Sequence, residues 1–249
     1  MEEEIGKWLE TQGYPLEMRV AREFQAHGFR VQQSDYYQDD ESGTWRETDV
    51  VAYLQATVDD LLYRVEFVVE CKTAPDKPWV LFTSDSGVAA PARVVQRAAS
   101  SKGRRLLKEV AKRQDIQDLS MFSVHARPAY GMTQAFGSGE DKTFRAAMSV
   151  STAVAAKAAA ADRGSRPLCV IALPVIVISG KLVEAYLDDS GEVRVESISS
   201  GTLLWRNPIV GMPHTIIRVL SEPEVPQFAL EARESAGRFL ELAVTEKPK

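Results

Sequence analysis

Two runs of β-branched and aromatic residues, at 46–54 and 61–72, set the pattern of this chain. A polar connection holding Asp59 and Asp60 separates them, and Pro75 closes the second, so they predict two neighbouring strands. Upstream, Ile5, Trp8 and Leu9 mark a short amphipathic helix that stops near Gly13. Pro15 suits the first turn of a second helix running to about His27, with Leu16, Val20 and Phe24 on its apolar face and Gly28 as its stop. Residues from 29 onward open a first strand, and 39–43 turn into the strand that carries Asp49. Beyond residue 72 the pattern leaves 79–82 open as to type. It predicts a largely helical 92–114 with a weak point at 100–103, a strand at 121–124 and a Gly- and Pro-containing loop at 127–139. An alanine-rich helix follows at 143–163, then one bent strand or a strand pair at 168–178. Short strands at 181–187, 192–198 and 202–205, the first two joined by a hairpin turn at 188–191, precede a closing helix at 223–243. The expected fold is α/β: a central mixed sheet flanked by helices over 1–180, with 181–249 as a β-hairpin extension and C-terminal helix packed on the same domain.

With 249 residues, 45% of them hydrophobic, the chain can bury a full core. A net charge of -5 excludes a uniformly basic nucleic-acid coat, so any such contact must come from a local patch. The strongly basic stretch is 93–113, where Arg93, Arg97, Lys102, Arg104, Arg105, Lys108, Lys112 and Arg113 stand against Glu109 alone. Such a run can neutralise phosphates, or it can be a solvated helix face; the first six are the candidate nucleic-acid contacts. Cys71 and Cys169 sit in apolar runs and read as small buried residues in a reducing compartment. The acidic N-terminus lacks the features of a signal peptide, and the apolar run at 168–178 is too short to span a bilayer, so the expectation is a cytoplasmic protein. No zinc-ligand spacing, Walker A loop or Gly-x-Ser-x-Gly elbow is present.

The chemistry concentrates where the second strand ends. Side chains alternate along a strand, so Glu70 and Lys72 share a face about 7 Å apart while Cys71 points the other way. Burying a lone carboxylate costs several kcal/mol, so Glu70 requires Lys72, a metal or water beside it. Asp49 supplies a second carboxylate if the two strands pair. Two carboxylates and a cation on one patch suit Mg²⁺, which binds one or two carboxylates, keeps several waters and completes its shell with phosphate oxygens. The plain alternative is a salt-bridged pair at a strand end. An acid-x-Lys triplet is expected by chance in a chain with 35 acidic residues, and a second one occurs at Glu140-Asp141-Lys142, but there no apolar strand surrounds it.

Asp49, a gap of about twenty residues, then Glu70-Cys71-Lys72 resembles the active-site signature of the PD-(D/E)XK nuclease superfamily, the restriction-endonuclease-like fold. Glu17, in Tyr14-Pro15-Leu16-Glu17, matches the acidic residue that many members carry on the helix before the first core strand. Thr48 stands where the proline of the name would be. The likeness covers roughly 14–72, extends weakly to the strand near Leu168, and leaves the last third of the chain uncovered. It implies a Mg²⁺-dependent endonuclease, with Mn²⁺ as a substitute, acting on nucleic acid and on DNA first, in a setting of bacterial defence or repair. Asp49, Glu70 and Glu17 would hold metal, and Lys72 would serve the attacking water or developing charge. Two rival readings remain. One is a catalytically inactive member kept for nucleic-acid binding, and the other an assembly subunit meeting a second copy or a protein partner through its C-terminal segment.

Overall fold

The computed structural model describes residues 1–249 except 11, 40, 41, 75, 86, 138–140, 166, 207–214 and 246–249. Parts of the expected turns at 39–43 and 127–139, and Glu140 of the second triplet, therefore lie outside the described residues. In chain order the elements are α1 (Glu2–Glu10), α2 (Tyr14–Ala26), β1 (Arg30–Gln38), β2 (Trp45–Val58), β3 (Leu61–Lys72), β4 (Trp79–Thr83), α3 (Ala90–Val95), β5 (Ala98–Ala99), α4 (Ser101–Val110) and α5 (Gln114–Gln117). After these come β6 (Ala129–Gln134), α6 (Lys142–Arg163), β7 (Leu168–Ile178), β8 (Leu182–Leu187), β9 (Val193–Ile198), β10 (Ser200–Trp205), β11 (Thr215–Ser221) and α7 (Val225–Thr245). Among the described residues the strands form one mixed sheet of 11 strands.

The sheet runs β1-β2-β3-β7-β11-β10-β6-β4-β8-β9, with β5 beside β7. β1, β2 and β3 form an antiparallel meander, and β3 pairs in parallel with β7 along its length, Leu62 opposite Leu168 and Lys72 opposite Ile178. A parallel pair needs a crossover, which here runs through α6. Pro174 does not break β7 into two. On the side away from β3, β7 pairs with β5 at Ala172 and with β11 from Val175, so the proline falls at the gap between two neighbours. That is a place where a residue without an N–H is tolerated.

Two apolar cores lie on the two faces. One joins Leu16, Val20 and Phe24 of α2, Leu106, Leu107 and Val110 of α4, and Ala232, Ala236 and Phe239 of α7 to Phe67, Val69 and Cys71 of β3. The other joins Ala146, Ala147, Val150 and Val154 of α6 to Val68, Ile176 and Ile178. The alanines of α6 allow its backbone to lie close over the sheet. On the opposite face α4 lies against β7 at Gly103, where an added Cβ would lie 2.4 Å from the Val170 carbonyl oxygen.

Several expectations are corrected. Residues 120–122 form a single 3₁₀ turn, not a strand, with Phe122 fully buried against Phe239. The expected loop at 127–139 contains β6, and the open 79–82 is β4, antiparallel to it. The basic 92–114 is not one helix. The break comes just before the expected weak point, at the short strand β5; 101–103 are the first turn of α4, and the Ser100 hydroxyl caps it by accepting from Gly103 N at 3.2 Å. Apart from these corrections, β8, β9, β10 and β11 are strands of the one sheet, β11 pairing directly with β7, and α7 packs on the α2 face. Among the described residues no helix is long and apolar enough to cross a membrane.

Candidate functional site

The site lies where β2 and β3 separate. Their last paired residues are Val50 and Val69, so Asp49 and Glu70 stand next to each other at the mouth of the fork. There the side chain replaces the ladder: Asp49 Oδ2 accepts the backbone N–H of Cys71 at 2.7 Å. Glu70, 7% exposed, is held on both oxygens. Lys72 Nζ donates to Oε1, and Ser149 Oγ of α6 donates to Oε2 at 2.8 Å.

Alternation along the strands does not continue through this point. Ser34 in β1, opposite Asp49, has φ 51°, a left-handed conformation rare for a non-glycine residue. Val31 packs with the α2 core, whereas Tyr37, of the same parity, packs with the α6 core. The strand pair therefore rolls over at Asp49. Val50 stays in the α2 core while Arg46 reaches the α6 side.

Charge in the fork is strained. Burial, then the neighbouring Glu70 carboxylate, pushes the Asp49 carboxyl up to about 7, against the Cys71 N–H and Lys72. For Lys72, burial works against the charge, but pairing with Glu70 outweighs it and the pKa is raised, so the ammonium persists at neutral pH. Glu17 lies half-buried at the start of α2. Burial raises its carboxyl, with Glu47 next, Lys72 opposing and Glu70 adding. It senses the fork but does not complete a ligand cage: among the described residues no group of three His, Cys, Asp or Glu side chains could hold a metal ion.

A stability test follows from Asp49. Its folded pKa lies above the ordinary value of 3.8, so the native state binds the extra proton, and stability falls as pH rises from about 4 to about 7. In metal-free buffer Asp49→Asn removes that penalty and keeps an acceptor for the Cys71 N–H. The variant is expected to be more stable than wild type at pH 8 by roughly 2 kcal/mol, about half the full conversion of the shift because the site is partly solvated, and equal to it near pH 4. Denaturant melts across pH check this.

The fork opens on a cleft of about 700 Å³ lined by Tyr37, Arg46, Glu70, Lys72, Thr73 and, from α6, Lys142, Phe144, Arg145 and Ser149. Four cations, Arg46, Lys72, Lys142 and Arg145, meet two carboxylates, Asp39 and Glu70. Asp39 is bound by Arg46 at 2.9 Å. Thr73 Oγ1 is buried without a hydrogen-bond partner among the described residues.

The basic stretch at 93–113 is placed elsewhere, away from the rim of this cleft. None of its residues lines the cleft. α4 packs on the opposite face, near Val170, eight residues and about 26 Å along the strand from Lys72. Lys102, Arg104, Arg105 and Lys108 point to solvent there, and Arg104 Nη1 caps Ala99 O at 2.7 Å. Arg93 is half-buried, its backbone carbonyl accepting Arg97 Nε at 3.0 Å. Arg97 is 5% exposed and donates Nη1 to Ile216 O at 3.3 Å, so it cannot meet a phosphate. The cations that do reach the cleft, Lys142 and Arg145, are one turn apart at the head of α6, and Lys142 belongs to the triplet that context sets aside. Their i, i+3 spacing is the signal that points to them.

Compared with protein-family models, curated proteins and solved structures, the chain matches none.

Proposed function

We propose that this protein is a Mg²⁺-dependent nuclease of the PD-(D/E)XK type, hydrolysing phosphodiester bonds of nucleic acid, with DNA the first substrate to try and Mn²⁺ a substitute metal. The observation that carries the reading is the fork: Asp49 and Glu70 side by side, each fixed by a hydrogen bond, with Lys72 paired to Glu70 and a cation-lined cleft beside them. The restriction-endonuclease-like core rests on the resemblance together with the order of elements around the fork. The helix bearing Glu17 precedes the meander, and α6 crosses to the parallel β7.

The donor set fits Mg²⁺. Two carboxylates are what that ion takes from protein, and burial beside Glu70 leaves Asp49 with an unfavourable charge that a divalent cation would relieve. When bound, the ion would polarise a phosphate oxygen and lower the pKa of a bound water. The chain supplies the rest. The Cys71 N–H and Ser149 Oγ hold the two carboxylates in place, and Lys72 offers a protonated ammonium to the attacking water or to charge developing on phosphate. Lys142 and Arg145 position the phosphate backbone, and Thr73 stands in the cleft wall with its hydroxyl oxygen buried. Glu17 acts, on this reading, through the field at the fork or an outer water.

One feature favours a second reading, a nuclease-fold protein that binds nucleic acid without cleaving it: Lys72 already neutralises Glu70, as a salt-bridged strand end would.

Binding is tested through the cleft. Neutralising Lys142 and Arg145 together (Lys142→Gln, Arg145→Gln) is expected to weaken duplex DNA binding and to reduce the log–log salt slope by about 1.8, about 0.9 for each lost phosphate contact. The same change at Arg104 and Arg105 should leave the slope unaltered. Titrations at several salt concentrations decide between the two surfaces.

A further inference from the structure

β9 ends the sheet: it pairs with β8 on one side and with no described residue on the other. Its sequence, Val-Arg-Val-Glu-Ser-Ile, is exposed along nearly its whole length and lacks the proline or bulge that usually blunts an open edge. An unpaired edge of this kind is a row of N–H and C=O groups ready to pair with another strand. Its two faces differ. Arg194 and Glu196 lie over Tyr186 and Glu184, whereas Val193 and Val195 lie over Leu187 and Ala185. On that second face Leu187, Val193 and Val195 are 65%, 68% and 63% exposed, and Phe82 and Tyr130 stack beside them with ring centroids 6.4 Å apart. Large aliphatic and aromatic side chains gathered at an open edge form the kind of patch that monomeric proteins rarely leave uncovered.

We infer that β9 pairs antiparallel with the β9 of a second copy across a two-fold axis at Val195, extending one sheet through a homodimer. The charge pattern selects both the occupant and the register. In antiparallel pairing, partners share a face, so a centre at Val195 sets Val195 against Val195, Val193 against Ser197, and Arg194 against Glu196 of the other copy, twice over. A centre at Arg194 or Glu196 would set like charges face to face, and a centre between residues would set a valine against a charge. The self-complementary strand is already laid out for this. Within one copy Arg194 is paired with Asp188 at 2.6 Å, and Glu196 accepts from the Tyr186 hydroxyl and lies 3.9 Å from Arg127, so the cross-copy pairs join these contacts at the edge. A two-fold contact of this sort uses the same patch on both copies, which brings the two apolar faces together near the axis.

The register makes the test specific. Antiparallel partners have Cα atoms about 4.5–5.5 Å apart, within the range of a disulfide, so Val195→Cys should cross-link to its own mate under mild oxidation. Val193→Cys should not, because two copies of residue 193 lie about 14 Å apart along the paired strands. The native cysteines, Cys71 and Cys169, are buried and do not compete. Sedimentation of the full chain should show a dimer for wild type and a monomer for Val195→Lys, with the far-UV spectrum unchanged. A monomeric wild type would overturn the inference and leave the edge to some other protein. Equal cross-linking of the two cysteine variants would overturn it as well, since collision or another register would then explain the bond.

Discussion

Glu70→Gln is expected to lower cleavage by about a thousandfold or more and to abolish measurable Mg²⁺ binding while leaving the fold intact. A metal supplies several kcal/mol of charge stabilisation to a phosphoryl transition state, and each 1.4 kcal/mol is about tenfold in rate. Glutamine keeps the shape of the side chain and an oxygen for Ser149 Oγ, so the α6 contact survives. The removed charge is the one that, after burial, lifts the Asp49 carboxyl, so Asp49 becomes more acidic and takes over the pairing with Lys72. Plasmid and oligonucleotide cleavage, with calorimetric metal titration and a thermal melt of the same protein, reads all three effects. A variant that fails to fold would mean that Glu70 is chiefly a structural partner of Lys72.

Lys72→Ala separates binding from turnover. The ammonium sits on Glu70 Oε1, in competition with any cation that approaches the fork. Removing it is expected to leave Mg²⁺ affinity equal to or above that of wild type, yet to reduce cleavage about 10²–10³-fold, the usual loss when a preorganised charge is taken from a developing oxyanion. If metal affinity and cleavage fell together, the lysine would be holding the site in shape. The opposite responses of Glu70→Gln and Lys72→Ala to metal are what a salt bridge alone does not produce.

Strong periodicity carried most of the fold into view, and weak or interrupted periodicity hid the rest. α2, β3 and α6 declare themselves because each has a long apolar face with clear ends: Pro15 and Gly28 for α2, Pro75 beyond β3, and an alanine run in α6. β6 is punctuated by Pro128 and Gly131 and is only partly buried, so its alternation is lost in loop-like composition. Met121 and Phe122 are apolar for a different reason, anchoring a 3₁₀ turn beneath α7, and four residues carry no period to distinguish the two cases. At the site, Glu70, Lys72 and Asp49 could be found from spacing and strand context. What spacing could not give is the left-handed Ser34 opposite Asp49, nor the Asp49 carboxylate taking the Cys71 N–H where the ladder ends, since parity counting assumes a regular strand. The basic stretch misleads for a related reason: the amphipathic pattern of α4 shows that its cations face solvent, but not which face of the sheet it covers. That choice is made by Gly103 and Ser100 against β7.

Whether the fork of Asp49 and Glu70 holds a divalent cation for phosphodiester hydrolysis is decided by incubating wild-type protein with plasmid DNA, oligonucleotides and RNA in Mg²⁺, in Mn²⁺ and in EDTA, with metal binding followed by calorimetry on the same preparation. Metal binding and cleavage of at least one of these substrates are expected in Mg²⁺ or Mn²⁺, with no cleavage in EDTA. No cleavage of DNA or RNA, together with no heat of metal binding, would contradict this and leave Glu70 and Lys72 as a salt-bridged strand end.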